Sequence, residues 1–300
     1  MIDMNIPKIS IVTPSYNQGQ FIEETIKSVL SQDYPNLEFI VIDGGSTDNT
    51  LKIIKKYERH LTYWVSEPDN GQAHAINKGI QKCTGEIFNW LNSDDYLEPG
   101  SLFKIADAFS DINVDLVAGR VRNFSELNEE IIPNQKLSAK GLMCWERGVK
   151  FVQPGVWMRR GLIHKCGGID EQYHYSFDWD LYIRYLYHFP VVKELDDLLV
   201  HFRLHEDSKT QSMYEKFQME QNLIIEKLSR TKELEKLKSV CDFKIQQLGW
   251  TIFLSDLSRS NISFAQKTIQ VFKKLKQFDK VGYSRQTLGA LKFFALKQVI

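Results

Sequence analysis

Asn92-Ser93-Asp94-Asp95 is the stretch of this chain best equipped for chemistry. It closes the apolar, strand-like run Ile87-Phe88-Asn89-Trp90-Leu91. Two neighbouring carboxylates repel each other, and a divalent cation removes that cost. Oxygen donors of this kind suit Mg²⁺ or Mn²⁺, and a cation held there would hold a phosphate ester in turn. The plainer reading is a pair of turn acids ahead of a helix that follows Pro99. Other polar clusters also stand directly after apolar runs: Thr13-Pro14-Ser15-Tyr16-Asn17, Asp43-Gly44-Gly45, and Arg203-Leu204-His205.

Bringing such clusters to one edge requires a particular order of elements. β-Branched and apolar runs predict strands over 8–13, 37–42, 61–65 and 86–91. Helical spacing of apolar residues predicts helices over 21–30, 49–57 and 71–81. This alternation is the pattern of a mainly parallel, Rossmann-like α/β sheet flanked by helices. Ligands of such sheets lie outside the carboxyl ends of the strands, where the polar clusters fall. Further on, the pattern predicts a helix from Pro99 to about 109 and a strand over 115–121. A polar, irregular segment over 122–150 follows, then a strand over 151–158, a turn at Gly167-Gly168, a helix over 177–189 and a strand over 195–202. The aromatics between Tyr173 and Tyr187 read chiefly as core. From about 210 the periodicity is helical, over roughly 210–240, 243–257, 262–278 and 285–298. The expected organisation is a domain over 1–210, with a nucleotide-binding half (1–98) and an acceptor half (99–210), and a helical basic extension over 211–300.

Composition agrees with a protein that builds a large core: 43% of its 300 residues are apolar. The four cysteines are widely spaced with no CxxC pair, which reads as reduced thiols in a cytoplasmic chain. The first residues carry no basic, apolar leader pattern, and no apolar run is long enough to span a bilayer. The net charge is zero but unevenly spread. Residues 1–210 hold 22 basic and 30 acidic side chains, and residues 259–300 hold nine basic and one acidic. Solvated helix faces explain that tail most simply. Peripheral contact with the inner face of a membrane is the alternative, and no aromatic-interleaved basic motif points to nucleic acid.

Several segments resemble the family 2 glycosyltransferases of GT-A fold, in family order. Ile11-Val12-Thr13-Pro14-Ser15-Tyr16-Asn17 looks like the opening strand and nucleotide loop. Val29-Leu30-Ser31-Gln32 looks like the end of the first helix, and Val41 to Asp48 resembles the base-reading segment. Gly85 to Asp95 resembles the metal strand. Gly167-Gly168-Ile169-Asp170-Glu171, Phe177-Asp178-Trp179-Asp180-Leu181 and Arg184 resemble the acceptor half. The resemblance covers about residues 7–212. The chain departs from the pattern at Ser93, where an Asp-x-Asp motif has its first acid, at Gly44, where many members have a second acid, and at Phe177, where many have Glu.

The resemblance implies an inverting enzyme that moves a sugar from a nucleoside diphosphate, UDP foremost, to a hydroxyl of a glycan or lipid-linked acceptor in surface polysaccharide synthesis. It implies a cofactor, Mn²⁺ or Mg²⁺, held by Asp95, with His205 completing the shell and His201 a weaker competitor. Asp94 would meet the ribose or a phosphate. Thr13, Pro14 and Tyr16 would line the base site, and Asp43 would accept from the base N–H, a contact that UDP, dTDP and GDP could each provide. Asp178 is the expected general base, with Asp180 the alternative, and Trp157, Trp179 and Asp180 are weaker candidates for the acceptor site. Two rivals remain. A sugar-phosphate nucleotidyltransferase would need a Gly-rich basic loop where Pro14-Ser15-Tyr16-Asn17 stands. A non-catalytic sugar-nucleotide-binding protein would not need Asp178.

Overall fold

The computed structural model describes residues 6–205, 214–279 and 281–296. Four strands, β1 (Ile9–Ser15), β2 (Leu37–Asp43), β3 (Tyr63–Ser66) and β4 (Ile87–Trp90), pair in parallel in the order β3-β2-β1-β4. Helices α1 (Ile22–Leu30), α2 (Thr50–Tyr57) and α3 (Gln72–Lys82) form the connections. Parallel neighbours need such crossovers, which is why periods of two and 3.6 alternate here. Ile9, Ile11, Ile22, Ile26 and Val41 are buried in the shared core. On the other face α3 lies close to β1. A Cβ on Gly79 would come within 2.4 Å of Val12 Cγ1, so only glycine allows this approach.

The second half adds β5 (Tyr96–Leu97), α4 (Ser101–Ala108), β6 (Leu116–Phe124), β7 (Glu129–Ile132), α5 (Ala139–Cys144), β8 (Val156–Arg159), α6 (Arg160–Lys165), α7 (Phe177–His188) and β9 (Val192–Arg203). The sheet continues β4-β8-β6-β9-β5, with β7 beside β6. β8 is antiparallel to both β4 and β6, while β6 and β9 are parallel. The mainly parallel α/β sheet predicted from the sequence is thus found, and every antiparallel pair involves a strand of this half.

Two expectations shift in position, and one strand was not foreseen. The segment 122–150, read as irregular, contains β7 and the short α5. The strand expected over 151–158 begins only at Val156, because Gln153-Pro154-Gly155 forms a 3₁₀ turn and proline has no N–H to give a ladder. β5 is too short to show a period of its own.

Beneath the parallel strands, Glu38 is buried and accepts from Ser10 Oγ (2.5 Å), Thr84 N (2.7 Å) and Gly85 N (3.3 Å). Burial works against its charge, but these hydrogen bonds outweigh it and hold the carboxyl at about 2.

The chain divides into two compact units, Met1–Glu220 and Gln221–Ile300. The helix α8 (Tyr214–Arg230) spans that division, which lies ten residues past the boundary expected from pattern and charge. Helicity breaks at Thr231, not near 240. Its Oγ donates to Lys227 O (2.9 Å), a side-chain bond that competes with helix continuation. Helices α9 (Lys238–Arg259), α10 (Phe264–Leu275) and α11 (Arg285–Leu296) follow. They enclose Trp250, Leu254, Val271, Leu275 and Phe294. The Trp250 indole N–H donates to Thr287 Oγ1 (2.8 Å), and Ser263 and Gln266 form a capping box on α10.

Candidate active site

The carboxyl ends of β1 and β2 carry two loops joined by side chain–backbone bonds. Asn17 takes a left-handed conformation (φ 52°), tolerated best by glycine, asparagine and aspartate. Its N–H donates to Ser46 Oγ (2.7 Å), and its Oδ1 accepts from Thr47 N (2.9 Å). Gln18 N donates to Thr50 Oγ1 (2.9 Å) and Gly19 N to Asp48 Oδ2 (2.9 Å). This fastening leaves Tyr16 61% exposed at the mouth of the cradle, a large aromatic surface without a covering neighbour. Pro14 is buried behind it. Thr13 Oγ1 and Ser15 Oγ, on the same face of β1, are buried and unpartnered. Orphaned hydroxyls at a strand's carboxyl end suit a polar ligand.

Asp43 is fully buried. Its Oδ1 accepts from Ser46 Oγ (2.5 Å), and its Oδ2 from Ser66 Oγ (2.6 Å), Ser46 N (2.9 Å) and Gly45 N (3.2 Å). The carboxylate expected to meet the base is therefore occupied in shaping the loop that follows it. Asp69 lies beside that loop and was not singled out in the sequence. A Cβ on Gly44 would come within 2.8 Å of Asp69 Oδ2. The acid that Gly44 lacks is thus replaced in space by one 25 positions later. Asp69 Oδ1 accepts from Gly71 N (2.7 Å), at a φ of 107° that glycine adopts without strain.

At the end of β4 the two adjacent acids part ways. Asp95 is 0% exposed. Its Oδ1 accepts from Arg203 N (3.0 Å) and its Oδ2 from Asn92 Nδ2 (3.3 Å). Burial pushes its carboxyl well above the usual range, and the neighbouring charge of Asp94 adds to this. The Asp94 side chain is 21% exposed, and its Oδ2 is 3.0 Å from His205 Nε2. The carboxylate at the surface is Asp94 and Asp95 lies behind it, whereas the resemblance implied Asp95 for the metal and Asp94 for the ribose or a phosphate. Ser93 and Asp94 form a turn past the end of β4, closed by Asp95 N–H donating to Asn92 O (3.1 Å), and this turn sends the two side chains different ways. His201, the weaker competitor, is occupied elsewhere. It is 2.6 Å from Glu98 Oε2 and stacked on Tyr96.

Arg203 holds the pair in place. Its Nε donates to Asp94 O (3.1 Å), its Nη2 meets Glu24 of α1 (2.5 Å), and its guanidinium lies over the rings of Phe21 and Phe124. Asn92 also accepts from Gln72 Nε2 (2.7 Å), which ties the first residue of α3 to the acids. His74 Nδ1 accepts the N–H of Asn70 (3.0 Å) and shapes the turn before α3.

Among the described residues, no group of three or more His, Cys, Asp or Glu is arranged to hold a metal. The pair Asp94–His205 nonetheless fits part of a shell. Asp94 Oδ2 and His205 Nε2 stand within hydrogen-bonding distance of each other (3.0 Å), so both donor atoms converge on one spot. A carboxylate oxygen with an imidazole nitrogen is a donor set open to Mn²⁺ or Mg²⁺.

Asp178 is the second residue of α7, partly exposed, and its Oδ1 accepts from Trp179 N (2.7 Å). α7 meets β4 through aromatic contacts: the Trp90 ring lies 6.1 Å from Phe177 and 6.0 Å from Tyr182. The strand that delivers the acids and the helix that delivers Asp178 thus share one packed interface. Arg184 binds Asp180 Oδ2 (2.5 Å), Cys166 O and Gly168 O (2.8 Å), pinning the Gly167-Gly168 turn to α7. Asn77 of α3 donates to Ile169 O (3.0 Å) and Glu171 Oε1 (2.7 Å) of the same segment.

The weak acceptor candidates do not line an open site. Trp157 is buried in the main core beneath the sheet. Trp179 is buried with its indole N–H on Leu142 O (3.2 Å). Asp180 is buried in its pair with Arg184 and is no candidate base in this arrangement. Large aromatics on a strand and helix of an α/β core are placed by burial before any surface use.

The sequence profile described as glycosyl transferase family 2 matches residues 10–168, more than half of the chain. The chain belongs to that family. It is 29% identical over 217 residues to an uncharacterized glycosyltransferase of Rickettsia typhi, covering 68% of this chain and 66% of the relative. It is 39% identical over 103 residues to a putative teichuronic acid biosynthesis glycosyltransferase, TuaG, of Bacillus subtilis, covering 33% and 40%. The matches thus span less than two thirds of these relatives. Among solved structures, TarS 1–349 of S. aureus in complex with UDP-GlcNAc superposes with a TM-score of 0.62 at 19% identity, covering 80% of this chain and 71% of that one. The mannosyltransferase PcManGT of Pyrobaculum calidifontis, in complex with GDP-Man and Mn²⁺, gives 0.58 at 16% identity, covering 99% and 88%. At these identities the likeness shows the fold, which is of GT-A type as the sequence resemblance implied. The family 2 profile ends ten residues before Asp178, so the helix carrying that acid lies outside the matched segment.

Proposed function

We propose that this family 2 glycosyltransferase moves a sugar, with inversion, from a nucleoside diphosphate to a hydroxyl of a glycan or lipid-linked acceptor in surface polysaccharide assembly. The observation that carries the reading is the Asp94–His205 pair at the end of β4, on the strand edge that also bears the Tyr16 cradle. Tyr16 stacks on the base, and the unpartnered hydroxyls of Thr13 and Ser15 bond its polar edge. Asp94 and His205 would hold Mn²⁺ or Mg²⁺, whose positive charge would, when bound, offset the charge of the leaving diphosphate. Asp95 and Arg203 keep that pair oriented from behind.

Asp178 takes the proton of the acceptor hydroxyl as the new bond forms at the anomeric carbon. A carboxylate with an ordinary pKa of about 3.9 does not ionise an alcohol in advance, but concerted proton removal is worth roughly 10²–10⁴-fold. Attack opposite the leaving diphosphate is a single displacement and inverts the centre. UDP is the first choice of donor nucleotide because TarS is described with UDP and UDP-GlcNAc. The polysaccharide setting follows the name of TuaG. A panel of UDP-, dTDP- and GDP-sugars, assayed for nucleotide release with and without Mn²⁺, tests the reading. Metal-stimulated turnover of one UDP-sugar is expected, and no turnover of any donor would sink it.

The second unit supports a membrane-facing role. α10 exposes Ile269 (52%) and Phe272 (62%) on the side that also carries Lys273 and Lys276. An exposed apolar pair set among lysines fits an anionic bilayer surface. Among the described residues no helix is long and apolar enough to cross a membrane, so the contact would be peripheral. Sedimentation with vesicles containing phosphatidylglycerol tests it: the variant Ile269→Glu/Phe272→Glu is expected to lose binding, and equal binding would remove this part of the proposal.

A further inference from the structure

The segment that leads into α7 is held by one carboxylate from far along the chain. Glu220 of α8 accepts three successive backbone N–H groups: His174 (2.7 Å) on Oε1, and Tyr175 (2.7 Å) and Ser176 (2.8 Å) on Oε2. Its helical neighbours grip the same residues. The Phe217 ring meets Tyr175 edge-on at 5.6 Å, and Lys216 Nζ donates to Tyr175 OH (3.1 Å). Ser176 occupies the N-cap of α7, a residue type that normally caps its own helix, yet its side chain makes no cap bond. The N–H it would accept, that of Trp179, goes to Asp178 Oδ1. The start of α7 is therefore set from outside the helix, two residues ahead of Asp178.

We propose that Glu220 is a positioning residue for the transfer step, which fixes where α7 begins and hence how Asp178 is presented to the acceptor. This rests on Asp178 being the base. Three aligned N–H groups at a helix start form a ready anion site. Glu220 fills it with the protein's own charge, so the donor diphosphate is not drawn toward the base. Hydrogen bonds to a charged acceptor are among the stronger ones, which suits a contact that must hold a loop in one geometry. A displacement of about 1 Å at such a site can cost on the order of 10²-fold in rate.

The test compares Glu220→Ala, Glu220→Gln and the parent chain, using the donor chosen by the panel above. Glu220→Ala is expected to lower kcat roughly 10- to 100-fold with the donor KM and UDP affinity unchanged. Glu220→Gln, which keeps one carbonyl acceptor, is expected to recover part of the loss. Hydrogen exchange over residues 174–180 gives an activity-independent reading: the amides of His174, Tyr175 and Ser176 should exchange faster in Glu220→Ala. Wild-type kcat in a folded Glu220→Ala protein would overturn the proposal. So would a lower Tm with kcat per folded molecule unchanged, because that is the mark of a purely structural contact. Failure of the base reading is separately visible: Asp178→Asn would then transfer at full rate whatever Glu220 does.

Discussion

In the donor cradle, residues 17 to 19 are bonded to residues 46 to 48 at separations of 29 and 30 positions, by short polar side chains and backbone groups. At the start of α7, three backbone groups are bonded to a single carboxylate 44 to 46 positions further along. The cradle is redundant, since several independent bonds fix its loop. At the start of α7, one residue accepts all three backbone N–H groups, with Phe217 and Lys216 meeting the Tyr175 side chain beside it. Loss of any one cradle bond should therefore be absorbed, whereas changes at the acceptor side should act on the chemical step. Under the proposed function this difference would separate binding from turnover, with ligand contacts where two neighbouring strand ends are tied together and the proposed base set by a later helix.

The largest expected effect falls on the acceptor side. Asp178→Asn should lower turnover by roughly 10²–10⁴-fold and leave nucleotide affinity intact in calorimetry. A loss of both together would blur the contrast between the two sides. Glu38 tests whether the support beneath the cradle is separable from it. Glu38→Gln should destabilise the fold by about 1–3 kcal/mol, the cost of breaking a buried charged hydrogen-bond set, as read from denaturant unfolding. The sign follows from the depressed carboxyl. Its stabilisation is fully present above the ordinary value of 4.5 and is lost as pH falls through about 2, so the gap between parent and variant should close between pH 5 and pH 2.

On the donor side, Asp94→Ala should weaken Mn²⁺-supported nucleotide binding by about 10- to 100-fold, while Asp95→Asn should chiefly lower stability. The reverse pattern would restore Asp95 as the metal-facing acid. The smallest effect is expected at Tyr16, where Tyr16→Ala should cost about 1 kcal/mol of nucleotide affinity, roughly fivefold, with kcat unchanged.

Much of the donor half was legible in the residues themselves. The alternation of strand and helix periods predicted the parallel sheet, and that topology brings Tyr16, Asp43 and Asp94 to one edge. The same reasoning could not supply orientation. It made Asp95 the main metal ligand, yet Asp95 is buried under Arg203 and Asn92. It treated Gly44 as a missing acid, yet Asp69 stands in that space. It offered Trp157 and Trp179 as acceptor platforms, yet both are buried. Glu220 left no signal, because one glutamate on an amphipathic helix is indistinguishable from a solvated one until its helix is docked.

The sequence by itself determined the order of elements and the edge where the chemistry must lie. Both follow from hydrophobic period and from turn residues, which act over a few positions. Only the tertiary structure decided which of two adjacent carboxylates faces out, which acid fills the space above Gly44, and which residue sets the start of α7. Those outcomes depend on the packing of β9, α3 and α8 against elements distant in the chain. Burial and hydrogen bonding at such contacts are properties of the assembled fold, not of any local stretch.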